Sequence, residues 1–306
     1  MHPLISQVLA TGGGVALRYD ILQLVSHDHL DRAIRRGELV RVLPRVVTWA
    51  GRQNSVEIRA RAALAFAGSD ALLSHVTAAR RWGMTVPDSS GEHVHISIPR
   101  SRQNRTTGYV VVHRLAEVNP AGAPIVRRGL PITDPVRSLV GSWAILDTAD
   151  RRDVVITAVR QRIVSAAAIL EATAEWSQLR GRRELRQLAA DLAAGAHSEL
   201  EIFGLHKVFE HPSLPRPRRQ YPVVAGGRRY LLDLAYPDIR LGIELDGAAH
   251  HGSSADRERD LRRDAQLAVE GWHIVRITYR RLTADPEAVR RELVQIIATR
   301  RALLLA

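Results

Sequence analysis

The sequence predicts a multidomain protein of mixed class, with α+β and α/β parts. Three observations lead to this prediction. The chain has 306 residues, of which 45% are hydrophobic, enough for two or three separately packed cores. Short helical patterns followed by an alternating hairpin occupy the start of the chain, and closely spaced strand and helix patterns occupy its last third. We therefore expect three domains, at residues 1–50, 51–195 and 196–306.

Residues 1–50 are predicted to form a winged helix-turn-helix. Helical patterns are followed by an alternating stretch, residues 38–49, that suits a hairpin or wing. The third helix, predicted over residues 26–36, has an apolar seam, and its arginines lie mostly off that seam. Helix-turn-helix modules present such a basic face to the DNA major groove, although many small helical domains share the pattern. The candidate nucleic-acid contacts are Arg32, Arg35, Arg36 and Arg41.

Residues 51–195 are predicted to form a mixed α/β middle domain without an evident chemical motif. Along one predicted strand, apolar residues alternate with His93, His95 and Ser97, as in a strand with one exposed face. Two histidines at i and i+2 share a strand face and could bind a metal. No third ligand stands at a suitable spacing, so we expect an exposed polar face.

Arginine dominates the charge of the chain. Forty-four basic residues against 32 acidic ones give a formal net charge of +12, which favours a polyanionic partner. Lys207 is the only lysine, a bias that an arginine-rich genome would impose on any protein. Both explanations of the excess charge stay open.

The sequence lacks cysteine and lacks the patterns of a signal peptide or a membrane span, and these absences exclude several kinds of site and protein. The sequence contains no cysteine, which excludes disulfides, thiolate zinc sites and cysteine nucleophiles. Neither the charged start of a signal peptide nor a run of 18 apolar residues is visible, so we expect a soluble cytoplasmic protein without a membrane partner.

Three carboxylates stand in an apolar hairpin predicted near the C-terminus. Asp233 lies in one predicted strand, and Glu244 and Asp246 lie in the next. A buried carboxylate is costly unless a positive charge neutralises it. A divalent cation can do so, and hard oxygen ligands suit magnesium or manganese. Beside strongly basic surroundings, such a site points to hydrolysis of phosphodiester bonds.

The element order predicted for residues 196–306 is αβββαβα. The Gly226-Gly227 pair is the expected hairpin turn between the first two strands. The predicted elements are a helix from Ser198, strands at 221–224, 229–236 and 241–247, a helix at 256–270, a strand at 272–278 and a helix at 286–304.

Five pieces of this region form a recognisable pattern. They are Ser198-x-x-Glu201, Tyr230-x-x-Asp233-x-x-Tyr236-Pro237, Ile243-Glu244-x-Asp246-Gly247-x-x-His250-His251, Asp256 with Arg259-Asp260 and Arg263, and Gly271-Trp272-x-x-x-Arg276-x-Thr278. Together they resemble a large bacterial family akin to the very-short-patch-repair endonucleases, within the PD-(D/E)XK, or restriction-endonuclease-like, fold. The first two thirds of the chain resemble the winged-helix antitoxins of type IV toxin-antitoxin systems, the AbiEi family, through residues 13–49 and 74–83.

The nuclease resemblance implies roles for three acidic residues. Asp233 matches the metal ligand of the nuclease core, and Glu244 matches the acid of its (D/E)XK element. Both would bind one magnesium ion, or manganese in its place. Glu201 matches a helical acid that orients a metal-bound water. The same Ser198-x-x-Glu201 pattern is also a helix capping box, and both interpretations stay open.

The chain departs from the superfamily at Asp246, where a lysine is usual. That lysine steadies the attacking water or the developing charge, which an aspartate cannot do. Relatives without the lysine use a histidine after the glycine, and His250 and His251 occupy that place as candidate general bases or acids. A histidine pair in a surface loop is the alternative. Arg259 or Arg263 could pair with the carboxylate cluster, and Arg276 could reach a phosphate or Asp246.

Three functions are compatible with these patterns. The first is a DNA-binding protein whose winged helix positions a magnesium-dependent endonuclease domain on double-stranded DNA. The second is a non-catalytic transcriptional regulator, or an antitoxin-like repressor, that keeps the nuclease fold as a scaffold. The third is cleavage of RNA by the same acids. The sequence identifies neither a toxin partner nor a self-association surface.

Overall fold

The computed structural model of the chain describes residues 2–87, 93–115, 124–196, 198–246 and 254–305. The chain divides into two compact units, Met1–Arg186 and Gln187–Ala306. Within the described ranges, both units combine helices with β-sheets. The fold is therefore mixed α/β, which agrees with the multidomain class predicted from the sequence.

The first unit begins with helices packed on a three-stranded sheet. Its elements are α1 (Pro3–Thr11), β1 (Val15–Leu17), α2 (Arg18–Leu22), α3 (His27–Arg35), β2 (Leu39–Leu43) and β3 (Val46–Trp49). The strands are antiparallel, in the order β1–β3–β2. Helix α3 begins after Ser26, whose hydroxyl accepts a hydrogen bond from the His29 amide. Leu30 and Ala33 of α3 are buried, so the helix turns its basic residues outward.

The remainder of the first unit adds a five-stranded sheet and further helices. These elements are α4 (Val56–Ala67), β4 (Leu72–Leu73), α5 (His75–Trp82), β5 (Val94–Pro99), β6 (Val110–Leu115), β7 (Ile125–Arg127), β8 (Leu130–Ile132), α6 (Pro135–Ile145), α7 (Thr148–Arg160) and α8 (Ala166–Glu175). Helix α9 (Arg182–Ala193) begins in the first unit and ends in the second. The sheet order is β6–β5–β4–β8–β7. Val15 and Val46 of the first sheet share a buried apolar cluster with Ile58, Ile96 and Val110. The two sheets of this unit therefore share one core.

His95 and Ser97 are buried in this unit, so the expectation of an exposed polar face is wrong for both residues. Helix α5 packs against β5, and its His75 ring lies 5.9 Å from the ring of His95. Strand β6 supplies His113, whose Nε2 is 2.9 Å from His95 Nδ1. Burial lowers the pKa of His95 and of His113 to about 4. His93 is exposed.

The second unit is built on a four-stranded sheet. Its elements are α10 (Glu199–Gly204), a π-helical turn (Leu205–Phe209), β9 (Arg218–Ala225), β10 (Arg228–Tyr236), a 3-10 turn (Pro237–Ile239), β11 (Leu241–Asp246), α11 (Ser254–Val269), β12 (His273–Thr278), α12 (Tyr279–Ala284) and α13 (Pro286–Leu305). The sheet order is β12–β11–β10–β9, with β11 and β12 parallel and the other neighbours antiparallel. Gly226 and Gly227 both have positive φ, 55° and 73°, as a tight hairpin turn requires. Leu241 and Ile243 pack with Leu293 of α13 in the main core of this unit.

Candidate active site

Two acidic residues meet where strands β10 and β11 begin to separate. Leu234 and Ile243 form the last pair of their ladder, so Asp233 and Glu244 come next on each strand. Asp233 Oδ2 accepts a hydrogen bond from the Leu245 backbone N–H at 3.0 Å, which ties this carboxylate to β11. Burial raises the pKa of Glu244, and the nearby charge of Asp233 raises it further. The two carboxylates therefore face the same region of the sheet.

Gln220 of strand β9 links Glu201 to this pair. Its Nε2 atom lies 3.4 Å from Glu201 Oε2 and 3.4 Å from Asp233 Oδ1. The backbone of Gln220 has φ of 44°, a left-handed conformation that few residues other than glycine adopt. Gln220 is not among the residues predicted from the sequence, because no motif or periodicity singles it out. Glu201 and Asp233 therefore both accept hydrogen bonds from the side-chain amide of Gln220.

Glu201 also takes part in capping helix α10. Its backbone N–H donates to Ser198 Oγ at 3.2 Å, and the Ser198 hydroxyl donates to Glu201 Oε1 at 2.9 Å. The atom that faces Gln220 is the other oxygen, Oε2. The capping interpretation and the site interpretation are compatible, because each uses a different carboxylate oxygen.

Two arginines surround Glu244. Arg263 of helix α11 pairs with Glu244 Oε1, and Arg276 Nε lies 3.6 Å from Oε2. The second contact follows from the parallel register, which places Glu244 beside Arg276 on β12. Arg276 also donates to Asp264 Oδ1 at 2.8 Å. Burial, together with the charge of Asp233, raises the pKa of Glu244 more than these guanidinium groups lower it.

The acidic group fits a hard divalent cation in its donor chemistry. Glu201, Asp233 and Glu244 offer carboxylate oxygens, which magnesium and manganese prefer. In the described part of the chain, however, no three His, Cys, Asp or Glu side chains are arranged to hold a metal ion. Arg263 pairs with Oε1 of Glu244. A cation at this carboxylate would have to replace that guanidinium group.

The remaining residues predicted for the nuclease site are Asp246, Arg276, His250 and His251. Asp246 is half-buried at the end of β11, two residues after Glu244 and therefore on the same face of the strand. Arg276 contacts the carboxylate cluster as described. The candidate proton carriers His250 and His251 lie outside the described residues.

The predicted nucleic-acid contacts in the first unit lie on exposed surface. Arg32 and Arg35 pair with Asp28, and Arg41 lies 3.7 Å from a second aspartate of α3. The Arg32, Arg35 and Arg41 side chains are 46%, 72% and 64% exposed. Arg36 follows α3 as its C-cap and is exposed. These arginines are therefore open to a partner from solvent.

Part of the second unit matches the model of a restriction-endonuclease-like family. Residues 219–297 match the family model REase_MTES_1575, which describes a restriction-endonuclease-like family. The matched range contains Asp233, Glu244, Asp246 and Arg276, and it begins after Glu201. The chain therefore carries a restriction-endonuclease-like C-terminal domain, which indicates a nuclease-type function and binding of nucleic acid.

Longer matches come from Mycobacterium tuberculosis. The proteins named "Uncharacterized protein MT2308" and "Uncharacterized protein Rv2248" are each 28% identical to this chain over 264 residues, 86% of this chain and 93% of the relative. The crystal structure of the RV2827C protein superimposes with a TM-score of 0.43 and 19% identity, over 63% of this chain and 77% of that chain.

Among the described helices, none combines the length and apolar character needed to cross a membrane.

Proposed function

We propose that this protein binds DNA and that its C-terminal domain is a magnesium-dependent endonuclease acting on double-stranded DNA. The supporting observation is the approach of Asp233 and Glu244 from neighbouring strands, with Glu201 linked to Asp233 through Gln220. The strands belong to the restriction-endonuclease-like domain. Gathering carboxylates in a partly buried place is unfavourable unless a cation offsets their repulsion.

Asp233 and Glu244 are the proposed ligands of Mg²⁺, for which Mn²⁺ can substitute. When bound, such an ion would polarise the scissile phosphate and make water more acidic. Glu201 is proposed to accept a hydrogen bond from the attacking water and orient it. His250 and His251 keep the role of general base or acid that the resemblance implies.

Arg263 and Arg276 are proposed to supply the positive charge that Asp246 cannot provide. Both guanidinium groups lie beside Glu244. A guanidinium group can donate two parallel hydrogen bonds to a phosphate as well as to a carboxylate. We expect the two arginines to exchange their carboxylate partner for phosphate oxygens when DNA enters the site.

Residues 1–50 are proposed to position the nuclease domain as a winged helix, with β2 and β3 as the wing. Arg32, Arg35 and Arg41 form ion pairs on exposed surface. Such pairs contribute at most about 1 kcal/mol each. DNA phosphates can therefore replace the aspartates at little cost, and the resulting affinity should fall as salt is added.

Nicking of a supercoiled plasmid in the presence of Mg²⁺ tests this proposal. Asp233→Asn and Glu244→Gln keep the side-chain volume but remove the ligand charge, so each should slow nicking on the order of 100-fold or more. Asp238→Asn is the matched control, since Asp238 is an exposed carboxylate in the turn between the same two strands. Equal activity in all four proteins, or activity that survives EDTA, would contradict the proposal.

One observation favours a second function. Glu244 is buried against Arg263 and Arg276, so its charge is already balanced, and Asp246 stands where the superfamily has lysine. The second candidate is a non-catalytic transcriptional regulator or antitoxin-like repressor. Such a protein would bind a defined operator duplex equally with and without Mg²⁺ and would leave it uncut. Fluorescence-anisotropy binding, measured beside the nicking assay, separates the two functions.

A further inference from the structure

Gln220 interrupts the ladder between strands β9 and β10. The antiparallel pairing keeps the same register on both sides of the interruption, which falls opposite Asp233. At this point Gln220 adopts φ of 44°, in the left-handed region that non-glycine residues rarely occupy. Such conformations persist where the surrounding structure holds them, and they cluster at functional sites.

The side-chain amide of Gln220 lies between two carboxylates. Its Nε2 atom is 3.4 Å from both Glu201 Oε2 and Asp233 Oδ1. Ionised carboxylates only accept hydrogen bonds, so both contacts require the NH₂ group, which has two hydrogens to donate. One neutral group can therefore orient two acids at once.

A neutral donor acts differently from an arginine at this place. Arg263 balances the charge of Glu244 and competes with a cation for it. Gln220 donates hydrogen bonds to Glu201 and Asp233 but leaves intact the negative charge that attracts a cation. A backbone N–H of β11 holds Asp233 Oδ2, so the carboxylate is oriented at both oxygens.

We propose that Gln220 is a positioning residue of the nuclease site, which aims the Asp233 carboxylate at the bound cation and turns Glu201 toward the same cation. This inference rests on the proposed function, because it concerns the ion held by Asp233 and Glu244. Groups that orient metal ligands by hydrogen bonds typically contribute about 10- to 100-fold to metal affinity.

Isothermal titration of the full-length protein with Mn²⁺ alone tests the inference. Gln220→Leu should raise the Mn²⁺ dissociation constant roughly 10- to 100-fold, because leucine fills a similar volume but cannot donate a hydrogen bond to either carboxylate. Gln295→Leu, which changes an exposed glutamine of α13, is the control and should bind Mn²⁺ like the wild type.

A glycine variant separates the side chain from the backbone. Gln220→Gly relieves the positive φ, so its Tm should be no lower than that of the wild type, while its Mn²⁺ affinity should fall as in Gln220→Leu. The inference is overturned if Asp233→Asn abolishes Mn²⁺ binding but the Gln220 variants bind as tightly as Gln295→Leu. That result would leave the nuclease proposal intact. If the wild-type protein shows no Mn²⁺ binding that depends on Asp233, both the Gln220 inference and the nuclease proposal are overturned.

Discussion

Replacing Arg263 by methionine should destabilise the C-terminal domain when no divalent cation is present. Methionine fills much of the same space but removes the charge that pairs with Glu244. The Arg263 and Glu244 side chains are only 23% and 11% exposed. Removing one partner of a buried ion pair leaves the other charge uncompensated and costs about 3–5 kcal/mol. Arg276 remains 3.6 Å from the other oxygen of Glu244, so we expect the lower end, about 3 kcal/mol.

A loss of that size is readily measured. In a domain of roughly 100 residues it lowers Tm by about 10–20 °C, and it also appears in urea unfolding. Arg262→Met is the matched control on the same helix. The Arg262 and Glu258 side chains are 76% and 61% exposed, so breaking their ion pair should change the free energy of unfolding by less than about 0.5 kcal/mol.

Two further measurements distinguish the ion pair from simple packing. The double variant Glu244→Gln with Arg263→Met should recover most of the lost stability, because no unpaired charge stays buried at Glu244. Mg²⁺ should raise the Tm of Arg263→Met more than that of the wild type, because the cation then binds Glu244 without displacing a guanidinium group. Two results would contradict this explanation. One is equal stability of Arg263→Met and Arg262→Met, and the other is an equal rise in Tm with Mg²⁺ for Arg263→Met and the wild type.

Acid should destabilise the first unit, because His95 and His113 have a pKa of about 4 in the fold against 6.5 for a free histidine. The unfolded chain then binds protons first, so stability falls as the pH drops from 6.5 to 4. Urea unfolding of His113→Phe should show a shallower fall, and an unchanged fall would contradict this cause. Replacing Arg32 and Arg36 by alanine should reduce the slope of log affinity for duplex DNA against log salt by about 0.9 per lost phosphate contact. Arg160→Ala, at an exposed position of α7, is the control. Equal slopes for the Arg32/Arg36 double variant and for Arg160→Ala would rule out a DNA interface at Arg32 and Arg36.

The position of Asp233 and Glu244 on adjacent strands could be predicted from the sequence, because it depends on local chain geometry. Two apolar strands joined by a short turn pair as neighbours, and the buried side chains restrict their register. Gly226 and Gly227 likewise identify a hairpin turn, because both positions require positive φ. Sequence patterns of this kind predict interactions between segments that are close together along the chain.

The contacts of Gln220 could not be predicted, and the sequence left open whether Arg259 or Arg263 pairs with the carboxylates, because these contacts depend on how separate elements pack. Gln220 reaches Glu201 because α10 packs against the sheet. Arg263 lies in a helix of mixed charge, a pattern typical of a solvent-exposed face, yet α11 also packs Leu267 against the sheet. His95 shows the same limit, since alternation along one strand does not reveal which face a neighbouring helix covers.

A crystal of the protein soaked in Mn²⁺ would show whether Asp233 and Glu244 hold one hard cation. We expect an anomalous difference peak about 2.1–2.2 Å from one oxygen of each carboxylate, the distance typical of Mg²⁺ and the slightly larger Mn²⁺, with Arg263 moved away from Glu244. A map without a peak between these carboxylates, and with Arg263 still paired to Glu244, would contradict the proposed metal site.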